Sequence, residues 1–142
     1  MGMYDTFETD PNMEQEGVFL DYGEFRVRIG HAGQGNSRYV RYAEKKLKPV
    51  RKAMEAGALG NKRSMEIMID IYSESIIFDW QVRDGENWKS GIEARDGSIL
   101  PFNKENVEIT LRALPNLFLD IQQQAQSIAN FRKAELEEEA GN

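Results

Sequence analysis

Histidine occurs once in this chain, as His31, and cysteine does not occur at all. Nucleophilic catalysis of the triad type needs a histidine beside a nucleophile, oriented by an acid. His31 lies in Gly30-His31-Ala32-Gly33-Gln34-Gly35-Asn36, a glycine-rich loop with no such neighbours, and reads as a solvated loop residue. One histidine without cysteine cannot build a nitrogen–sulfur metal site. Asp79, Asp84, Glu86 and Asp96 are candidate oxygen ligands, but they lack the central glycine and terminal glutamate of a calcium loop. Asp84-Gly85 and Asp96-Gly97 are accounted for by turn geometry. Paired carboxylates cannot be singled out among 24 acids, because only separation in space would mark them. The glycine loop invites comparison with a phosphate cradle. That motif continues into Lys-Ser or Lys-Thr, whereas Asn36-Ser37-Arg38 follows here, so nucleotide binding is not expected. No catalytic, cofactor or metal residue is assigned, and the chain is not expected to be an enzyme.

What remains is charge. The net charge of -6 is unevenly spread. Residues 1–24 hold Asp5, Glu8, Asp10, Glu14, Glu16, Asp21 and Glu24 with no lysine or arginine, a net of -7. Residues 38–52 hold Arg38, Arg41, Lys45, Lys46, Lys48, Arg51 and Lys52 against Glu44, a net of +6. Such a block is either a solvated helix face or a surface for an acidic partner. One short basic helix in an acidic chain does not mark a nucleic-acid binder. The candidate partner-binding surface is the stripe Arg38, Arg41, Lys45 and Lys48, together with Tyr39 and Tyr42 as exposed aromatics.

The elements that would position these residues follow from local signals. Residues 1–9 have no period, and Asp10-Pro11 reads as a cap with proline at the first helical position. Val18–Tyr22 and Phe25–Ile29 alternate as a hairpin with Phe25, Val27 and Ile29 on the buried face. Asn36 or Ser37 caps a helix to about Ala56, which Pro49 should kink or split. A central helix is expected from about Asn61 to Trp80, with Met65 and Met68 on its core face. The bridge 81–102 is too long for a plain loop and predicts a second small hairpin around Asp96-Gly97, with Trp88 packing it onto the core. Asn103 caps a helix from Lys104 to Ala113, Leu114-Pro115 breaks it, and Pro115 opens a last helix through Phe131.

The expected class is therefore α+β, mostly α-helical, with an N-terminal hairpin, about four helices and a small hairpin in the 81–102 bridge. At 142 residues one domain is expected. It would span 13–133, between a flexible acidic arm (1–12) and an acidic frayed tail (134–142). No apolar run approaches the roughly 18 residues of a membrane span. The start, Met1-Gly2-Met3-Tyr4-Asp5, lacks the pattern of a signal peptide.

The order of these pieces resembles a known family. Gly17-Val18-Phe19-Leu20-Asp21-Tyr22 precedes Phe25-Arg26-Val27-Arg28-Ile29, then a Tyr-Arg-Tyr helix carrying Leu47-Lys48-Pro49-Val50-Arg51. Next come Phe78-Asp79-Trp80, a turn-rich bridge into Leu100-Pro101-Phe102-Asn103-Lys104-Glu105-Asn106, Leu114-Pro115-Asn116-Leu117-Phe118, and Ile128-Ala129-Asn130-Phe131-Arg132. Over roughly 13–133 this is similar to the tail assembly chaperones of long-tailed, siphovirus-type bacteriophages. The acidic lead 1–12 and the extended bridge 84–98 depart from their pattern. The resemblance implies a non-enzymatic protein of the host cytoplasm, absent from the mature virion. It would bind the phage tape-measure protein, keep it soluble and help recruit tail-tube protein, with self-association and, in some phages, a longer frameshifted form. The alternative is a minor structural protein of the tail or head–tail joint, retained in the virion. An acidic mimic of nucleic acid is disfavoured because the +6 block interrupts the negative charge.

Overall fold

A four-stranded sheet, a separate two-stranded hairpin and a set of short helices make up the described residues, and the class is α+β as the patterns predict. The structure is a computed structural model and describes residues 2–132. The acidic tail expected over 134–142 lies outside the described residues.

The lead contains a five-residue helix, α1 (Met3–Phe7), and then α2 (Pro11–Glu16). Asp10 caps α2, its carboxylate accepting from the backbone N–H of Asn12 and Met13. At the end of this lead, Asp10 N–H donates to Phe131 O at 2.8 Å and Thr9 bridges Arg132. β1 (Val18–Asp21) and β2 (Phe25–Ile29) form the expected hairpin, and Val27 and Ile29 are buried.

The central helix is shorter than its apolar period suggests. α5 spans Asn61–Ser75, and the chain then runs as β3 (Ile77–Asp84), so the helix expected to Trp80 is corrected to a helix and a strand. Ile77, Trp80 and Val82 are buried as the inner face of that strand. β-Branched and aromatic residues suit a pleated surface, and β2 offers a free edge to pair with. The register sets Val27 opposite Trp80 and Arg26 opposite Gln81, with an irregularity at Arg28/Ile29. β4 (Asn87–Ser90) returns along β3 across a two-residue turn in which Gly85 takes φ +63°. The result is an antiparallel sheet of order β1-β2-β3-β4. β5 (Ile92–Glu93) and β6 (Ile99–Leu100) make the separate small hairpin expected around Asp96-Gly97.

Trp88 does not pack the flap onto the core. It stands opposite Arg83 on β3–β4, with the Arg26 and Arg83 guanidiniums 4.6 and 4.2 Å from its ring. α3 (Ser37–Leu47) gives way at Lys48–Val50 to a 3-10 turn containing Pro49 and then to α4 (Arg51–Glu55), the split that proline dictates. α6 (Lys104–Ala113) starts at Asn103, whose side chain accepts from Asn106 N–H. α7 begins at Pro115 and ends at Gln126, short of Phe131, which sits in a separate 3-10 turn.

One core joins the inner sheet face (Val27, Ile29, Ile77, Trp80) to Ile69 and Tyr72 of α5, Val107 and Leu111 of α6, and Phe118 and Ile121 of α7. Tyr72 meets Phe118 edge-on at 5.4 Å. Each such side chain contributes roughly 1.5–3 kcal/mol by leaving water. Met68 packs against this core, but Met65, expected beside it, is largely exposed.

Candidate functional site

α3 is positioned by Asn36, which is buried and bonded in two directions. Its Oδ1 accepts from Tyr39 N–H at 3.2 Å, capping the helix, and its Nδ2 donates to Ser75 O at 3.1 Å, tying the cap to α5. From that start, Arg38, Arg41, Lys45 and Lys48 recur at intervals of three and four, and all four are exposed. The structure therefore brings the basic residues into one stripe. Arg38 reaches Glu74 at 3.4 Å, while Arg41, Lys45 and Lys48 make no ion pair among the described residues.

Tyr39 and Tyr42 do not stand beside the stripe as exposed aromatics; both are partly buried against the core. With Ala43 and Leu47, which follow Tyr39 at successive steps of four, they share the inward face. Tyr39 meets Tyr72 edge-on at 6.5 Å, and burial pushes its phenol up. The Tyr42 hydroxyl donates to Asp70 at 2.7 Å and accepts from Lys104 Nζ at 3.0 Å.

Those contacts belong to a charged seam between α3, α5 and α6. Asp70 takes Lys104 at 2.7 Å and Lys46 at 3.2 Å. Burial raises the Asp70 pKa, but the hydrogen bonds from Lys104, Tyr42 and Lys46 outweigh it and hold the carboxyl below its ordinary value. Burial likewise works against the Lys104 ammonium, and its bonds to Asp70 and Tyr42 carry it above the ordinary lysine range.

Several clefts open among the described residues, and two are the larger of those. Between α6 and the β5–β6 hairpin, Ala94, Leu100, Ile109, Ala113 and Leu114 line a mostly apolar groove of about 350 Å³. It adjoins a smaller hollow, of about 110 Å³, that reaches Trp80 and Leu117 and shares Leu114 with it. Ile109 and Leu114 are each 49% exposed. The sequence reading missed this groove, although a signal was present. The buried residues of α6, Val107 and Leu111, are four apart, and Ile109 is an apolar residue off that stripe. The other cleft, about 450 Å³, opens where α3, α5 and β3 meet and includes Arg28, Arg38 and Lys104.

His31 is not solvated. Its side chain is 13% exposed, its ring lies 4.8 Å from that of Phe131, and Nδ1 is 3.6 Å from Glu14 Oε2. Glu14 is itself buried, accepts a hydrogen bond from the Thr9 hydroxyl, and fills the space where a side chain at Gly35 would start. This arrangement fastens α2 to the glycine loop. Among the described residues no group of three or more histidines, cysteines or acids is placed to hold a metal. None of the described helices is long and apolar enough to cross a membrane.

An apolar groove open among the described residues and a basic stripe in which Arg38 alone is ion-paired thus lie on a small α+β scaffold. A family model described as YdaY prophage protein matches residues 34–142. The match takes in most of the chain, which belongs to the YdaY prophage protein family and is phage-derived. No curated protein and no solved structure matches it.

Proposed function

We propose that this phage protein is a tail assembly chaperone. It binds the tape-measure protein, keeps it soluble, and helps recruit tail-tube subunits. The observation that carries the reading is the apolar groove beside α6, where Ile109 and Leu114 stay half exposed at the edge of a well-packed core. A tape-measure protein is long and helical with apolar stripes, and an apolar stripe seats in such a groove through anchors three and four residues apart. The α3 stripe Arg38, Arg41, Lys45 and Lys48 supplies charge for the acidic flank of the same helix, raising the rate of encounter more than the affinity. Catalysis has no part in this role. The family match supports a phage origin, and the resemblance of the whole pattern to tail assembly chaperones supports the finer reading.

The test is co-expression with the tape-measure protein encoded in the same prophage. The chain is expected to raise the soluble fraction of that protein. Leu114→Asp, at an exposed position, is expected to abolish the effect while the variant stays folded. Failure of the unaltered chain to raise solubility would overturn the proposal. So would its stoichiometric recovery from purified particles by mass spectrometry, which would favour a structural protein of the tail.

A further inference from the structure

We propose that the cleft between the start of α3, α5 and β3 binds a phosphoryl group, as free phosphate or as a small phosphate ester. At about 450 Å³ it falls within the range of small-molecule sites. Arg28, Arg38 and Lys104 line it against one carboxylate, Glu74. Arg38 and Lys104 each reach Glu74 at 3.4 Å, which neutralises it. Arg28 is held by a hydrogen bond to the backbone carbonyl of Glu16 and meets no carboxylate among the described residues, so its charge stays uncompensated.

Ser37 and Arg38 are the first two residues of the eleven-residue α3 and lie in the lining. Asn36 takes the Tyr39 N–H, and among the described residues nothing accepts from the N–H of Ser37 or Arg38. Free N–H groups at a helix start, with the positive end of its dipole, favour an anion. A second, independent feature is Ser73. It lines the cleft, is only 6% exposed, and its hydroxyl has no hydrogen-bond partner among the described residues. A buried hydroxyl without a partner is costly unless something completes it, and a phosphoryl oxygen would. Phe78 and Phe102 add apolar wall for the organic part of an ester. The glycine loop before α3 lacks the Lys-Ser of a phosphate cradle, and here arginines from β2 and α3 would take the lysine's part.

Calorimetric titration of the whole chain with inorganic phosphate, adenosine monophosphate and adenosine tests this. Phosphate and the monophosphate are expected to bind saturably, and adenosine not at all. Tighter binding of the monophosphate would assign an ester as ligand, and equal binding would assign free phosphate. Arg38→Gln and Arg28→Gln should each weaken binding at least about tenfold, the scale of a lost charge-assisted hydrogen bond. Lys45→Gln, on the same helix but outside the lining, should leave it unchanged. Absence of saturable binding, or an equal loss in Lys45→Gln, would overturn the proposal. Arg38 is exposed and its variant is expected to fold, so Arg38→Gln decides the matter if Arg28→Gln does not fold. The outcome is separate from that of Leu114→Asp, because Leu114 is not part of this cleft.

Discussion

At its first residue α6 meets α3 and α5 through Lys104, which Asp70, Glu74 and Tyr42 all contact. Further along the same helix, Ile109 and Ala113 line an apolar groove that is open among the described residues. One helix therefore has a side on which polar groups find partners and a side on which apolar groups do not. The difference separates two kinds of residue that composition alone treats alike. Lys104 is charged and held by three partners, whereas Ile109 is apolar and half exposed. An exposed apolar patch at a stable site is a mark of interaction, and a completed ion network is a mark of architecture.

The largest test strikes the hollow that adjoins the groove. Trp80 is 2% exposed, faces the hollow next to Leu114, and stacks on Phe25 at 5.8 Å. Trp80→Ala is expected to cost about 3–5 kcal/mol, the scale of deleting a buried aromatic. Denaturant unfolding should show a lower midpoint with an unchanged slope. A loss below about 1 kcal/mol would mean that the groove side is not anchored in the core.

The seam should respond less strongly and with a definite pH dependence. Asp70→Asn is expected to cost about 1–2 kcal/mol at neutral pH, because it weakens hydrogen bonds to a charged group that is only partly buried. The Asp70 pKa is held below its ordinary value of 3.8, so its contribution is full above that pH and fades as pH falls through the folded value. The Lys104 pKa is raised above 10.5, so its contribution is full below that pH and fades as pH rises through the folded value. Stability of the unaltered chain minus that of Asp70→Asn should therefore be level between these limits and shrink at both ends. A difference that grows on acidification would place the stabilisation elsewhere.

This contrast also explains what was legible in the sequence. Asp10, Asn36 and Asn103 announced their helices because a cap acts on the next three residues and needs nothing distant. Pro49 and Pro115 announced breaks for the same reason. Ile76–Trp80 was misread because its apolar residues satisfy a helical period as well as a strand's. The choice was made by β2, some fifty residues earlier in the chain. The stripe Arg38, Arg41, Lys45 and Lys48 was legible as a helical repeat, but the inward turn of Tyr39 and Tyr42 depended on Tyr72 and Asp70. His31 looked solvated for want of local partners, and its partners Glu14 and Phe131 come from other elements. The groove and the phosphoryl cleft were hidden in the same way, since each is walled by segments that meet only in the fold.

The smallest effects fall on two adjacent lysines, where the comparison is sharpest. Lys46 turns to Asp70 at 3.2 Å, and its pKa is raised by that hydrogen bond. Lys45, one residue earlier, faces solvent and makes no ion pair among the described residues. Lys46→Gln should lower the melting temperature slightly, an effect that added salt masks. Lys45→Gln should leave it unchanged. If the proposed tape-measure binding holds, the order should reverse there, with Lys45→Glu slowing association at low salt and Lys46→Gln having little influence. Equal effects of the two changes on both measurements would erase the line between seam and stripe. Separate effects would mean that neighbouring cations on one helix divide the work of holding the fold and of meeting a partner.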